Sequence, residues 1–400
     1  MVAMWPCKGI DLDWPDWAFA LRECLSPSPI QDVAGRVERR WSSESDTLAC
    51  ITVRSAFDLY LRAQRWEPGS EVVFSALTVP DMPRIARHHG LRPVPVDLDP
   101  GTAAWDEAAL ERCVGERTRA LVLAHLFGGR VDLGPALAFA RRRGIAVVED
   151  CAEAYAGPDW TGHAQADLSL FSFGPIKTAT ALGGALARAR DPDTCARMKR
   201  IHAQDGVQPT GEYLRRVLLY GALKAASHPR ALGIVMAAAD ALGADANQWI
   251  HSLPRNVPDE SFIPSIRRRP CAALLGVLER RLAQGTAPVS RRVEPGRMLM
   301  AALGPDVEVP ARTADPHGYW MFPVLTRNPD ALSAALREGG FDAMSGRLAV
   351  VSGGDAPTPG AERLANALYI PFDPAMPGEE LERLGRLVRD FEADEKDRTD

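Results

Sequence analysis

Four hundred residues exceed one ordinary domain and suffice for a large unit plus a smaller one. With 47 Lys+Arg against 52 Asp+Glu, the mildly acidic chain carries no basic footprint for nucleic acid. Seven cysteines, at 7, 24, 50, 113, 151, 195 and 271, lack paired metal spacing, and an odd count without a signal-peptide pattern points to reduced thiols in a cytoplasmic protein.

In chain order, the first 44 residues, with Trp at 5, 14, 17 and 41, read as an arm packing across a dimer or the site opening. A helix is predicted over 51–65, with Ser55 near its start and Phe57, Leu59, Tyr60 and Leu61 as apolar positions. Strands follow near 72–75, 93–96, 119–125, 145–149, 168–172 and 185–187, with helices between most of them. This alternation predicts a mostly parallel sheet covered on both faces. An apolar insert spans about 208–260, but Lys224, His228, Pro229 and Arg230 break its runs below the roughly 18–20 residues of a membrane span. It reads as a buried helical hairpin at a subunit interface, with a lid over a hydrophobic substrate or a membrane-surface contact as the sharper alternatives. A helix is predicted from 272 to 282 and beyond, then a second unit with helices over 330–338 and 377–392.

The most informative stretch is Leu170-Phe171-Ser172-Phe173-Gly174-Pro175-Ile176-Lys177. It lies between Ile145-Ala146-Val147-Val148-Glu149-Asp150 and the Gly183-Gly184 pair. A lysine amine can form a Schiff base with an aldehyde when a partly desolvated site makes it nucleophilic. A carboxylate facing a pyridine nitrogen keeps that nitrogen protonated, so the ring can absorb the electrons released when a substrate bond breaks. Asp150 ends a buried strand, where ligands of open α/β sheets collect. Each residue alone is ordinary, since most lysines are surface charges and many strand-end aspartates form turns. In combination they suit pyridoxal phosphate.

The segment 147–154, with Gly157, Gly162, Asp167, Phe171-Ser172-Phe173 and Lys177, resembles the DegT/StrS family of PLP-dependent aminotransferases. Glu67-Pro68-Gly69-Ser70-Glu71-Val72-Val73, Thr78, the run 90–97 and His125-Leu126-Phe127-Gly128 fall in the family's order, and the resemblance covers roughly 45–395. It implies an α/β, fold-type I, aspartate aminotransferase-like architecture. Its parts would be an N-terminal arm (1–44), a large domain with a mostly parallel sheet flanked by helices (45–285) and a smaller α+β C-terminal domain (286–395). It also implies Lys177 as the Schiff-base lysine, Asp150 at the ring nitrogen, Ser172 on the phosphate and Thr78 near the substrate.

Several positions depart from the family pattern. Where relatives place a small hydroxyl or glycine at the phosphate-binding helix, this chain has Arg54-Ser55-Ala56-Phe57, leaving Ser55 and backbone N–H groups, including that of Ala56, for the phosphate. Val79 stands where relatives stack an aromatic on the ring, and an aliphatic can pack there by dispersion. Glu153 occupies a position where relatives have Gln, His or, in a subset, Glu, and would sit close to the ring and affect how protons are placed, or else lie solvated on the loop. The segment that relatives lend to the neighbouring subunit corresponds to Ser265-Ile266-Arg267. Ser265 would there reach a phosphate oxygen and Arg267 an anionic substrate or cofactor group, against the plainer reading of Arg267, Arg268 and Arg269 as a solvated turn. That implies a homodimer with shared sites. The family's His-Tyr-Pro stretch has no match in 341–351.

The expected function is amino transfer from an amino acid donor such as glutamate to a keto or aldehyde acceptor, by resemblance a keto sugar. Two alternatives stand beside it. A dehydratase-like chemistry is disfavoured by Lys177, because sugar dehydratases of the family carry histidine there. A degenerate regulatory or membrane-associated protein would fit Ala56 and the apolar insert.

Overall fold

The computed structural model describes residues 3–241, 259–346, 348–354 and 356–397. Its main sheet has seven strands: β1 (Thr47–Cys50), β2 (Glu71–Ser75), β4 (Arg92–Val96), β5 (Thr118–Ala124), β6 (Ala146–Asp150), β7 (Leu168–Ser172) and β8 (Ala185–Ala189). Their order is β1-β8-β7-β6-β5-β2-β4, and β8 alone runs against its neighbours. Strands β5 to β7 are buried nearly end to end, as the middle of a sheet covered on both faces requires. The expected α/β architecture is therefore present, with strand limits displaced by a residue or two. The sequence reading missed β1, whose four buried residues are too few to separate a strand from the start of the following helix.

Helices cover the sheet. They include α3 (Val53–Gln64), α4 (Asp81–His88), α5 (Glu107–Cys113), α6 (Gly134–Arg143) and α7 (Pro192–His202). Helix α3 packs on β7 and β8, burying Ala56, Phe57, Leu59, Tyr60 and Leu61. The first 44 residues form α1 (Trp14–Leu25) and α2 (Ile30–Trp41). Val33, Val37 and Trp41 recur every four residues on α2 and are all buried, each worth roughly 1.5–3 kcal/mol of transfer free energy. The core they join includes Phe171, Phe173 and Leu274.

Residues 4–13 run as a strap over the molecule. Trp5 bridges Phe341, and the Cys7 thiol donates to the Tyr369 carbonyl at 3.3 Å. Asp11 then pairs with Arg281 and Arg291.

The insert provides α8 (Thr210–Ala226) and α9 (Pro229–Ala241); its residues 242–258 lie outside the described ones. Tyr213 and Val217 are buried, whereas Leu218, Leu219 and Ile234 are exposed. Among the described residues no helix is long and apolar enough to cross a membrane.

The remaining helices are α10 (Asp259–Ile266), α11 (Ala272–Leu282), α12 (Ala287–Leu303), α13 (Pro329–Glu338), α14 (Pro359–Ala365) and α15 (Gly378–Asp397). Helices α12, α13 and α15 share a second core with the three-stranded sheet β11 (Phe322–Val324), β14 (Leu368–Ile370) and β12 (Met344–Ser345). Not all of the C-terminal stretch stays with this core. Strand β13 (Ala349–Val350) pairs with β3 (Leu77–Thr78), and Asp97 accepts hydrogen bonds from the Gly360 and Ala361 N–H groups at the start of α14. Arg347, within the stretch that departs from the family pattern, lies outside the described residues.

Candidate active site

Lys177 sits in the loop joining β7 to β8, a loop built from unusual backbone. Ala179, Leu182 and Gly184 have φ of 56°, 59° and 89°, and the first two pay the steric cost of a β-carbon in the left-handed region. The surroundings hold this shape. Thr180 Oγ1 donates to the Phe173 and Gly174 carbonyls and accepts from the Leu182 N–H, while Asp11 accepts from the Ala179 N–H at 2.7 Å. The inner face of α8 adds the Tyr213 hydroxyl on the Ala181 carbonyl and Arg216 on that of Leu182. The amine of Lys177 lies 3.5 Å from Glu153 Oε1 and 3.8 Å from the centroid of the Trp320 ring.

Asp150 ends β6, the strand beside β7, and is buried. Desolvation pushes its carboxyl up to about 6, against the opposing pull of the Ala152 N–H bond and the Lys177 charge. Among the described residues it has no ion-pair partner within 4.0 Å, although a buried carboxylate strongly favours one. A protonated ring nitrogen would be such a partner, so the donor set fits pyridoxal phosphate. Glu153 lies on the following loop; its other oxygen accepts from the Phe127 N–H at 3.0 Å, which fixes the carboxylate beside the lysine.

Below this centre is a satisfied polar network. His125 Nδ1 accepts from the Val131 N–H, so its Nε2 carries the proton and donates to Glu149 Oε1 at 3.0 Å. Glu149 Oε2 accepts from Ser169 and the His163 N–H, and these bonds outweigh burial and hold its carboxyl below the ordinary value. Gly162 makes this possible: a β-carbon there would lie 2.2 Å from Ser169 Oγ, and its φ is 99°. The ligand atoms of His125, Glu149 and Cys151 fall within 4.8 Å of one another, but with both imidazole nitrogens engaged the cluster reads as a support for the strand ends rather than a metal centre.

The phosphate region differs in detail from the sequence reading. The cap of α3 is Thr52, whose Oγ1 accepts from the Ser55 N–H at 3.1 Å and lies 2.9 Å from Ser55 Oγ. Ala56 supplies neither a polar side chain nor a free donor, because its N–H bonds the Thr52 carbonyl. Val53 and Arg54, at the first two helical positions, hold the N–H groups that an α-helix leaves open to an anion. Arg54 turns its side chain to Asp81 at 2.7 Å. Gly184 ties Ser172 to this end, donating its N–H to Ile51 and accepting from Phe173, so the two hydroxyl sources share one backbone junction.

Ser265 lies near the end of α10, and Arg267 follows that helix directly. Ser265 Oγ donates to the Phe262 carbonyl, and Arg267 forms a two-pronged pair with buried Asp58, both bonds 3.0 Å. In place of an open anion-binding arginine, this geometry shows one tied to α3. Thr78 is buried in β3, and Val79 beside it is exposed. The sequence reading missed Thr52 and Trp320. A Thr three residues before Ser55 was the available signal for the first, as an N-cap pattern.

The model of the DegT/DnrJ/EryC1/StrS aminotransferase family matches residues 36–247, over half of the chain. The chain belongs to this family. PLP is the cofactor of its aminotransferases. Among curated relatives, the chain is 35% identical to the GDP-perosamine synthase of Caulobacter vibrioides over 42% of its own length and 45% of that protein. It is 31% identical to a pleiotropic regulatory protein of Geobacillus stearothermophilus over 45% of its length and 48% of that protein. The matched part thus spans about half the length of these relatives. The fold resembles the aminotransferase TlmJ from Streptoalloteichus hindustanus, with TM-score 0.71, 20% identity and coverage of 99% and 100% of the two chains. It also resembles 3-amino-5-hydroxybenzoic acid synthase, with TM-score 0.71, 18% identity and coverage of 98% and 100%.

Proposed function

We propose that this protein is a PLP-dependent aminotransferase that moves an amino group from an amino acid donor, glutamate, to a keto sugar or related carbonyl acceptor. The observation that carries the proposal is buried Asp150 at the end of β6, without an ion-pair partner within 4.0 Å among the described residues, next to the strand whose following loop carries Lys177. When bound, PLP supplies a reactive aldehyde and an electron-accepting ring. Lys177 would provide the amine that holds it and, when that amine is free, the base that moves a proton at Nζ. Asp150 holds positive charge at the ring nitrogen. Glu153 accepts or returns the lysine proton across their 3.5 Å separation. Ser172, Ser55 and the open N–H groups of α3 would anchor the phosphate.

The acceptor class draws on the relatives' names, which include GDP-perosamine synthase and a UDP-N-acetyl-3-dehydro-alpha-D-glucosamine 3-aminotransferase. The exposed Leu218, Leu219 and Ile234 support α8 and α9 as a subunit face of a homodimer, and free thiols at all seven cysteines support a cytoplasmic setting. The test is visible absorption of the purified protein with PLP, before and after glutamate. The expected result is a cofactor band that glutamate bleaches, absent in Lys177→Ala. A band of equal strength in Lys177→Ala would overturn the assignment. Light scattering that finds only monomer would remove the dimer.

A further inference from the structure

Trp320 reaches the lysine from the C-terminal part of the chain, and its placement is heavily determined. Its indole N–H donates to the Ile176 carbonyl at 2.8 Å, one residue before Lys177. Its own carbonyl accepts from buried Arg292 at 3.1 Å, and the same guanidinium holds the Tyr319 carbonyl at 3.1 and 2.9 Å. Gly128, with φ of 97°, permits the approach, because a β-carbon there would lie 2.5 Å from the Trp320 N. The Met321 N–H bonds Phe127 and the Gly318 N–H bonds Gly128, so the segment is stitched to the loop whose Phe127 N–H also fixes Glu153.

We infer that Trp320 is the positioning residue of Lys177: its indole face and the Glu153 carboxylate form a two-sided slot that holds the resting amine and screens it from small electrophiles. The inference rests on the reading of Lys177 as the cofactor lysine. An ammonium over an indole face gains electrostatic attraction that grows as water is excluded, and here the Lys177 side chain is 16% exposed and Trp320 9%. The slot imposes a choice among aldehydes. One that binds elsewhere on the protein, as a phosphate at the α3 terminus would, dwells long enough to meet the amine when it leaves the slot. A free aldehyde does not.

The test uses the cofactor-free protein and a small acylating reagent, with labelling at Lys177 read by peptide mass spectrometry against Lys199 and Lys224 in the same sample. Trp320→Ala should label at Lys177 at least about fivefold faster than wild type, and Trp320→Phe, which keeps a π face, within about twofold. Trp320→Leu keeps apolar bulk and guards against loss of fold; it should label faster than Trp320→Phe while the reference lysines stay unchanged. Equal Lys177 labelling in wild type, Trp320→Ala and Trp320→Leu overturns the slot. Adding PLP to wild type separates the two readings. A cofactor band without labelling contrast sinks the slot and keeps the cofactor lysine, and contrast without a band does the reverse.

Discussion

At Asp150, burial and charge pull in opposite directions and burial prevails. The folded carboxyl keeps its proton up to a pH of about 6 against an ordinary 3.8, so folding takes up a proton between those values. The native state therefore binds more protons than the unfolded one in that window, and this residue's contribution to stability falls as pH rises through it. That rise corresponds to roughly 3 kcal/mol at neutral pH. Asp150→Asn should raise the stability of the cofactor-free protein at pH 7 by about 1–3 kcal/mol and flatten the slope between pH 4 and 6 while weakening cofactor retention. Denaturant titrations at pH 4 and 7 check this; an unaltered slope would show that water or a neighbour already compensates the charge. Asp150, Ser172 and Lys177 were legible in the sequence because one strand end and one loop set their spacing. Trp320 was not, since 143 residues separate it from Lys177 and only tertiary packing brings it over the amine.

At the scale of elements, the start of α3 shows how a helix boundary becomes chemistry. The sequence predicts this helix from residue 51, two residues early, with Ser55 and the backbone around Ala56 at the phosphate. The observed cap at Thr52 moves the open N–H groups to Val53 and Arg54. Thr52→Ala should cost about 1 kcal/mol of stability. It should also weaken PLP more than pyridoxal, which lacks the phosphate, and equal losses for both in equilibrium dialysis would detach the cap from the phosphate. The strands were legible because each carries a short apolar run, such as Ala120 to Ala124 in β5 and Ala146 to Val148 in β6. The insert's role was not, because its two faces differ: Tyr213 and Arg216 hold the lysine loop, whereas Leu218 and Leu219 face outward. An apolar run by itself does not say which face meets what.

Over the whole molecule, the strap of residues 4–13 couples the two cores to the lysine. Asp11 touches the left-handed Ala179 and neutralises Arg281, which is fully buried and also pairs with Asp16. Asp11→Ala should destabilise the protein by roughly 1–3 kcal/mol, since it removes charged hydrogen-bond partners while Asp16 still pairs with Arg281. It should also loosen cofactor binding beyond what a control of equal thermal cost does, with calorimetry and cofactor release as the measurements. The strap has a kinetic consequence as well. Cys7 meets Tyr369 across 362 residues, a closure whose chain entropy is on the order of 5 kcal/mol. Contacts of such separation form late, after the sheet has repaid its own local costs. During refolding, cofactor capture should therefore lag behind the recovery of secondary structure, and residues 4–13 would be among the last to find their places.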